Sequence, residues 1–360
     1  MMLFCAACGI IAASYLLQQL WKHLSELSTI ITEWWGVDTI ITYNEHKFRE
    51  SDGMMCCAAC GITEVDEIKL KKCTTCDLVR YCSIKCQKDH RPQHNEACKN
   101  RAAALRDEIL FKQPESSHLG DCPICCLPLS IYPRTCTSMA CCSKRICNGC
   151  YHSNMIHELK GSLERKCPFC RHPDPETQTQ EEAARCARFA KMKRIEANDP
   201  MAMCDMGRSC YHEGDYKSAF GYVTKAAGLG NISAHHQLSV MYLEGKGVEK
   251  DEKQLRHHLE QAAIGGHPDA RYNLGIMEKE IERYERAIKH WIIAANLGHD
   301  GSLNVLKKAF VDGCGLVSKD DFAAALRAHQ AAVDATKSSQ RDEAEAYLQK
   351  LDAAKEARQD

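Results

Sequence analysis

The chain has 360 residues, room for roughly two or three domains, and its 47 Lys and Arg stand against 48 Asp and Glu for a formal net charge of -1. That balance excludes a global electrostatic drive toward nucleic acid or anionic membrane, so partners must be read from local sites. Of the 24 cysteines, 20 lie at or before Cys170 and only Cys186, Cys204, Cys210 and Cys314 follow, which divides the sequence into a metal-rich half and an ordinary one.

Residues 1–53 are the least informative stretch. Leu3 to Leu17 is an apolar run of 15 residues without a basic segment before it, short of the roughly 20 that a spanning helix needs. It reads as an amphipathic helix, or as an extension upstream of a start at Met54 or Met55. Cys5-Ala6-Ala7-Cys8-Gly9-Ile10 repeats Cys57-Ala58-Ala59-Cys60-Gly61-Ile62, yet no further ligand pair follows the first copy before Cys56, so that pair is an orphan. A signal or anchor is the alternative reading of this run; the expected location is otherwise cytoplasmic and/or nuclear.

Ligand pairs begin in earnest at Cys57. Cys57-x2-Cys60, Cys73-x2-Cys76, Cys82-x3-Cys86 and His94-x3-Cys98 supply eight soft donors in four close pairs, enough for two closed tetrahedral zinc sites. A Cys-x2-Cys turn presents two thiolates to one ion, and the last pair fits a short helix, because residues three or four apart share a face. A histidine at ligand spacing opposes a disulfide framework. Around Arg80-Tyr81-Cys82-Ser83-x2-Cys86-Gln87 the residues resemble a MYND finger, here spanning 54–100. The resemblance implies interleaved sites, with Cys57, Cys60, Cys82 and Cys86 on one ion and Cys73, Cys76, His94 and Cys98 on the other. It also implies a groove for proline-rich peptides walled by a glutamine and a tryptophan. This chain keeps Gln87 but has Arg91 where the tryptophan would stand, which turns the expected preference toward peptides carrying an acidic residue beside an apolar anchor.

A helical linker, residues 101–118, follows; Arg101 to Phe111 is rich in alanine and charge and Pro114 stops it. The second cysteine module, residues 119–173, opens with Asp121-Cys122-Pro123-Ile124-Cys125, continues with Cys147-x2-Cys150 and closes with Cys167-Pro168-Phe169-Cys170-Arg171. For its remaining pair Cys136, Cys141 and Cys142 compete, with spacing favouring Cys142 and then Cys141. His152 and His157 are spare donors that read as solvated. The module resembles a RING finger of the all-cysteine kind, with Lys144 where a histidine is usual. That resemblance implies a cross-brace, Cys122, Cys125, Cys147 and Cys150 on one ion and Cys141, Cys142, Cys167 and Cys170 on the other. Four Zn2+ are then expected per chain, three if Lys144 reports a lost site. It further implies ubiquitin-ligase activity that works by positioning, without a nucleophile and without catalytic side chains, with Ile124 and Arg171 as contacts to a ubiquitin-conjugating enzyme and its ubiquitin.

After residue 173 the composition turns helical. Residues 174–198 are a linker holding one charged helix, Glu181 to Ala197. In residues 199–335 the ends Ala226-Ala227-Gly228-Leu229-Gly230, Ala262-Ala263-Ile264-Gly265-Gly266 and Ala294-Ala295-Asn296-Leu297-Gly298 recur at intervals of 36 and 32. Periods of that length mean stacked helix-turn-helix units that bury their faces against one another. With starts at Ala202, Ala234 and Ala270 they are similar to Sel1-like repeats: three units and a weak fourth from Ser302, with Asp321 to Ala332 as its second helix. The resemblance implies an interaction scaffold. His235, His236, His257 and His258 read as exposed. Residues 336–360 form a charged helix expected to cap the stack.

The expected fold is therefore multidomain, two small cross-brace zinc fingers followed by an all-α helical-repeat solenoid. The expected function is a zinc-binding interaction adapter with RING-type ubiquitin-ligase activity, recruiting protein targets or peptides through the repeats or the first finger. The alternative is a binding-only scaffold. The nine basic against six acidic residues between Cys57 and Arg101 lack interleaved aromatics and do not make a nucleic-acid surface.

Overall fold

A computed structural model describes residues 55–357 apart from 66, 133, 175–178 and 314. The expectations for the N-terminal extension, its orphan cysteine pair included, lie outside the described residues. The chain divides into two compact units, Met1–Ala104 and Leu105–Asp360.

In the first unit β1 (Lys71–Lys72) pairs antiparallel with β2 (Arg80–Tyr81), Lys71 opposite Tyr81 and Lys72 opposite Arg80. Leu70, Val79 and Tyr81 are buried together with Cys57, Cys73 and Cys76, so cysteines make up half of the buried cluster. Helix α1 (Ile84–Leu110) starts in this unit and its last residues belong to the next. A short helix at the last ligand pair and a separate linker helix were expected; they are one helix of 27 residues. The reason is local. No glycine or proline stands between His94 and Leu110, and Pro92 removes one backbone donor without stopping the run.

The second unit opens with residues 105–113, whose Leu110 packs on Leu255, Leu259, Ala262, Ala263, Ala270 and Leu274. The second cysteine module carries the hairpin β3 (Cys136–Ser138) and β4 (Arg145–Cys147), with Cys136 opposite Cys147, and then α2 (Asn148–Lys160). Helix α3 (Gln180–Glu196) leads into α4 (Pro200–His212), α5 (Tyr216–Gly228), α6 (Ile232–Glu244), α7 (Glu252–Ile264), α8 (Pro268–Glu280), α9 (Tyr284–Asn296), α10 (Asp300–Val311) and α11 (Lys319–Ala335). Each of α4 to α9 has 13 residues. Asp199, Asp215, Asn231 and Asp251 cap successive helices by accepting from backbone N–H groups two or three residues on. Small residues at one repeat position set the helix spacing. A Cβ at Gly207 would lie 2.4 Å from Val223, and one at Gly275 would lie 2.3 Å from the Trp291 ring. Gly266 has φ +82°, and a Cβ there would meet the Ser116 carbonyl at 2.6 Å. That repeat end therefore takes a left-handed turn and receives the chain leading into the second module, where His118 N–H donates to Gly266 O at 3.0 Å.

Helix α12 (Ser339–Glu356) does not cover the end of the stack as expected; it packs along α2 of the second module. Gly149 lets the backbones approach, since a Cβ there would be 2.8 Å from Arg341 N, and Tyr347 lies on His152 with ring centroids 4.7 Å apart. No helix of the described residues is long and apolar enough to cross a membrane.

Candidate metal centres

Sixteen side chains converge as four tetrads: Cys57, Cys60, Cys82 and Cys86; Cys73, Cys76, His94 and Cys98; Cys122, Cys125, Cys147 and Cys150; Cys141, Cys142, Cys167 and Cys170. Within each tetrad all donor atoms lie within 4.8 Å of one another. Sulfur pairs stand 3.6 Å apart at Cys60 and Cys82, 3.8 Å at Cys73 and Cys98, 3.8 Å at Cys125 and Cys147, 3.5 Å at Cys141 and Cys170, and 3.9 Å at Cys142 and Cys167. A tetrahedron with Zn–S bonds of about 2.3 Å has an edge of about 3.8 Å, whereas a disulfide would need about 2.05 Å. The donor sets fit Zn2+.

One backbone device builds five of the pair-bearing turns. The N–H of the fifth residue closes onto the carbonyl of the first, as Gly61 to Cys57, Asp77 to Cys73, Cys126 to Cys122, Ser143 to Met139 and Arg171 to Cys167, over 2.7 to 3.0 Å. The donating residue is left-handed in every case, with φ between 55° and 75°. This pattern shows what spacing alone left open. Met139 holds the place where the other turns have their first cysteine, Cys142 holds the second, and adjacent Cys141 brings the missing sulfur. Cys136 sits in β3 opposite Cys147, outside every tetrad. Lys144 is likewise outside the tetrads, its ammonium 5.9 Å above the Phe169 ring.

Charge in the tetrads is unevenly held. Burial raises the Cys57 thiol, but the amides of Cys82, Cys60 and Ala59 outweigh it and bring the group down to about 6; Cys73 is lowered to about 6 in the same way. Cys82, facing Cys86 and Cys60, is pushed up to about 12. Four thiols this close do not all ionise by themselves, so a cation entering the site displaces protons. His94 is oriented by neighbours, with His90 stacked on it at 5.6 Å and His90 Nδ1 3.1 Å from Tyr81 Oη.

The remaining candidate residues separate clearly. Gln87 is half-buried and Arg91 exposed, one turn apart on α1. Ile124 and Phe169, each at the tip of a cysteine turn, are 41% and 40% exposed. Arg171 follows the last cysteine and its Nη1 donates to Asn154 Oδ1 of α2 at 3.2 Å. Of the paired histidines only His257 is exposed. His235 and His258 approach Nδ1 to Nδ1 at 3.0 Å, and His236 stacks on His267, which in turn stacks on His118, with ring centroids 4.2 and 4.0 Å apart. The expectation of an exposed face fails because α6, the start of α8 and the lead into the second module meet there. Sequence offered one hint, a histidine before Pro268 at the start of a repeat.

These features can be set against known proteins. Residues 57–98 match the MYND finger. Residues 200–231, 232–267 and 268–299 match the Sel1 repeat. Among solved structures the chain is similar to a protective antigen present in uropathogenic Escherichia coli strains that displays an SLR fold, with 24% identity over 42% of this chain and 33% of that one and a TM-score of 0.36. It is also similar to a Sel1 repeat protein from Oxalobacter formigenes, with 25% identity over 40% of this chain and 44% of that one and a TM-score of 0.36. The chain thus spans less than half the length of either protein. A comparison with curated proteins finds no match. A MYND finger, a second cysteine-rich module and three Sel1 repeats together support a zinc-binding adapter for protein–protein interaction.

Proposed function

We propose that the sixteen tetrad residues are the zinc ligands and that the second module is a RING-type finger, which makes the adapter a ubiquitin-protein ligase. The observation that carries this reading is what the module leaves uncovered. Repeats and α12 hold it through Ser138 to Asp205 at 2.8 Å, Tyr132 to the Gly298 carbonyl at 3.2 Å and Arg134 to Asp352 at 2.8 Å. The apolar tips Ile124 and Phe169 stay 41% and 40% exposed, and exposed Arg171 follows Phe169 by two residues. Two exposed apolar side chains and an exposed guanidinium suit a surface that docks a conjugating enzyme and holds its ubiquitin thioester in a reactive pose. Restricting a flexible donor to near-attack geometry contributes several kcal/mol without any nucleophile.

Autoubiquitination of the zinc-loaded chain with a panel of conjugating enzymes tests the proposal. Ile124→Ala is expected to abolish transfer at unchanged zinc content, and Arg171→Ala to slow transfer while leaving enzyme docking intact. Equal rates for the parent and both variants, or a parent inactive with every enzyme, would leave a binding-only scaffold.

A further inference from the structure

Four thiolates around one Zn2+ leave a net charge of about −2, which a finger interior has to offset with N–H donors. In the tetrad of Cys122, Cys125, Cys147 and Cys150 two such donors come from the finger itself: Cys147 N–H to Cys122 Sγ at 3.5 Å and Cys150 N–H to Cys147 Sγ at 3.4 Å. A third comes from the far end of the chain. Arg341, in the first turn of α12, donates from Nη2 to Cys125 Sγ at 3.5 Å across 216 positions of sequence.

The guanidinium is held for that contact. Nη1 donates to Pro128 O at 2.7 Å and to Thr336 O at 2.6 Å, and Nη2 also reaches Leu127 O at 3.2 Å. Leu127 and Pro128 directly follow the Cys122 turn, so one side chain ties the backbone after the first ligand pair to the start of α12. The seat is pre-cut at the other pair: Gly149, between Cys147 and Cys150, is the residue on which the backbone of Gln340 and Arg341 rests. Ala344 is buried one turn further on. A planar fork with several donors can serve three carbonyls and a sulfur at once, which a lysine cannot.

We propose that Arg341 is an outer donor to this metal site and that α12 is a clamp which slows loss of its ion. The proposal rests on the ligand assignment above. Its consequence is that one of the four ions is governed by the C-terminal helix while the other three are not.

The test uses the full chain loaded with 113Cd, whose resonances count the sites and report each sulfur environment, together with release of zinc to a chromogenic chelator. The parent is expected to give four resonances. Arg341→Gln should shift one of them and release one zinc in four about 10-fold faster, the size usual for an outer partner of a ligand. Arg341→Lys should fall between the two. Gly149→Ala, which keeps the guanidinium but whose Cβ would push the Arg341 backbone away from the site, should move the same resonance. Four resonances in the parent with none displaced in Arg341→Gln would overturn the clamp and leave the ligand assignment standing. Fewer than four in the parent would overturn both. Faster release of all four ions would also overturn it, because a general loosening of the fold is then the cause.

Discussion

In the MYND finger the tetrad cysteines are half of the buried cluster, since Cys57, Cys73 and Cys76 are buried together with Leu70, Val79 and Tyr81. The second module has a comparable apolar set in Leu129 and Ile146, but it is also held from outside by repeat residues, by the lead from Leu110 and by α12. The difference separates two ways for a small cysteine module to be stable. One builds its own buried cluster on its cysteines, while the other divides the task between its cysteines and a scaffold. Structural zinc contributes roughly 10 kcal/mol or more to modules of this size. The largest contrast therefore lies in ligand removal. Cys82→Ala should unfold residues 57–98 and lower the zinc content by two, because both interleaved sites share one small backbone. Cys122→Ala should cost one ion and leave the repeats folded. Elemental analysis with hydrogen exchange checks both; a loss of only one ion in Cys82→Ala would erase the distinction.

This contrast also marks what the sequence could tell. Pair spacing is local, so the four MYND pairs and three pairs of the second module that gather into tetrads were legible, and the alanine and glycine punctuation exposed the repeats with their helix bounds nearly correct. Cys136, Cys141 and Cys142 could not be separated because the deciding feature is a backbone turn in which Met139 replaces a cysteine. The seat of α12 was illegible for a different reason: its partners, Gly149 and the Leu127 carbonyl, lie about two hundred positions upstream, and no periodicity encodes a contact of that range. The stacked histidines are of the same kind. Each is an ordinary residue in its own segment, and only the meeting of three segments buries them.

A smaller effect should follow from loosening the lead into the second module. The last carbonyls of an α-helix have no partner within it. Leu110 O receives Arg271 Nη1 and Lys112 O receives Nη2 at 3.5 Å, from a guanidinium that is wholly buried and beside His290. Arg271→Ala empties that space and orphans the carbonyls, and should lower the stability of the repeat unit by about 3 kcal/mol in denaturant unfolding. The second module should then depend on zinc more nearly as the MYND finger does. Unchanged stability would mean that the outside support is nominal.

Acid should weaken the same support. Burial lowers His118 to about 4, with Arg145 adding to the effect, and burial also lowers His236 and His267; Arg208 and Arg145 face the stack and Asp269 is the acid beside it. A histidine whose folded pKa lies below its unfolded value of about 6.5 favours folding fully above that value. The contribution is lost as pH falls from about 6.5 toward 4. His118→Gln should flatten the acid limb of the repeat unit's stability curve between pH 6.5 and 4, read by chemical denaturation at each pH. An identical limb in the variant would place the acid sensitivity elsewhere.

The smallest effect concerns the surface of the MYND finger. Gln87 and Arg91 are one helical turn apart on α1, and Arg91 is exposed. Where the resemblance calls for a tryptophan, the apolar face that would receive proline rings is missing, a loss of about 1 to 3 kcal/mol of contact. The guanidinium supplies in its place a bidentate partner for a carboxylate, worth more beside a half-buried glutamine than in open water. Peptides that place an acidic residue next to an apolar anchor should thus bind better than neutral proline-rich ones. Arg91→Trp should reverse the order by about tenfold, since about 1.4 kcal/mol separates one decade of affinity from the next. Titration of both peptide classes against the zinc-loaded chain decides it: a parent that prefers the neutral proline-rich peptide would show that position 91 does not set the choice.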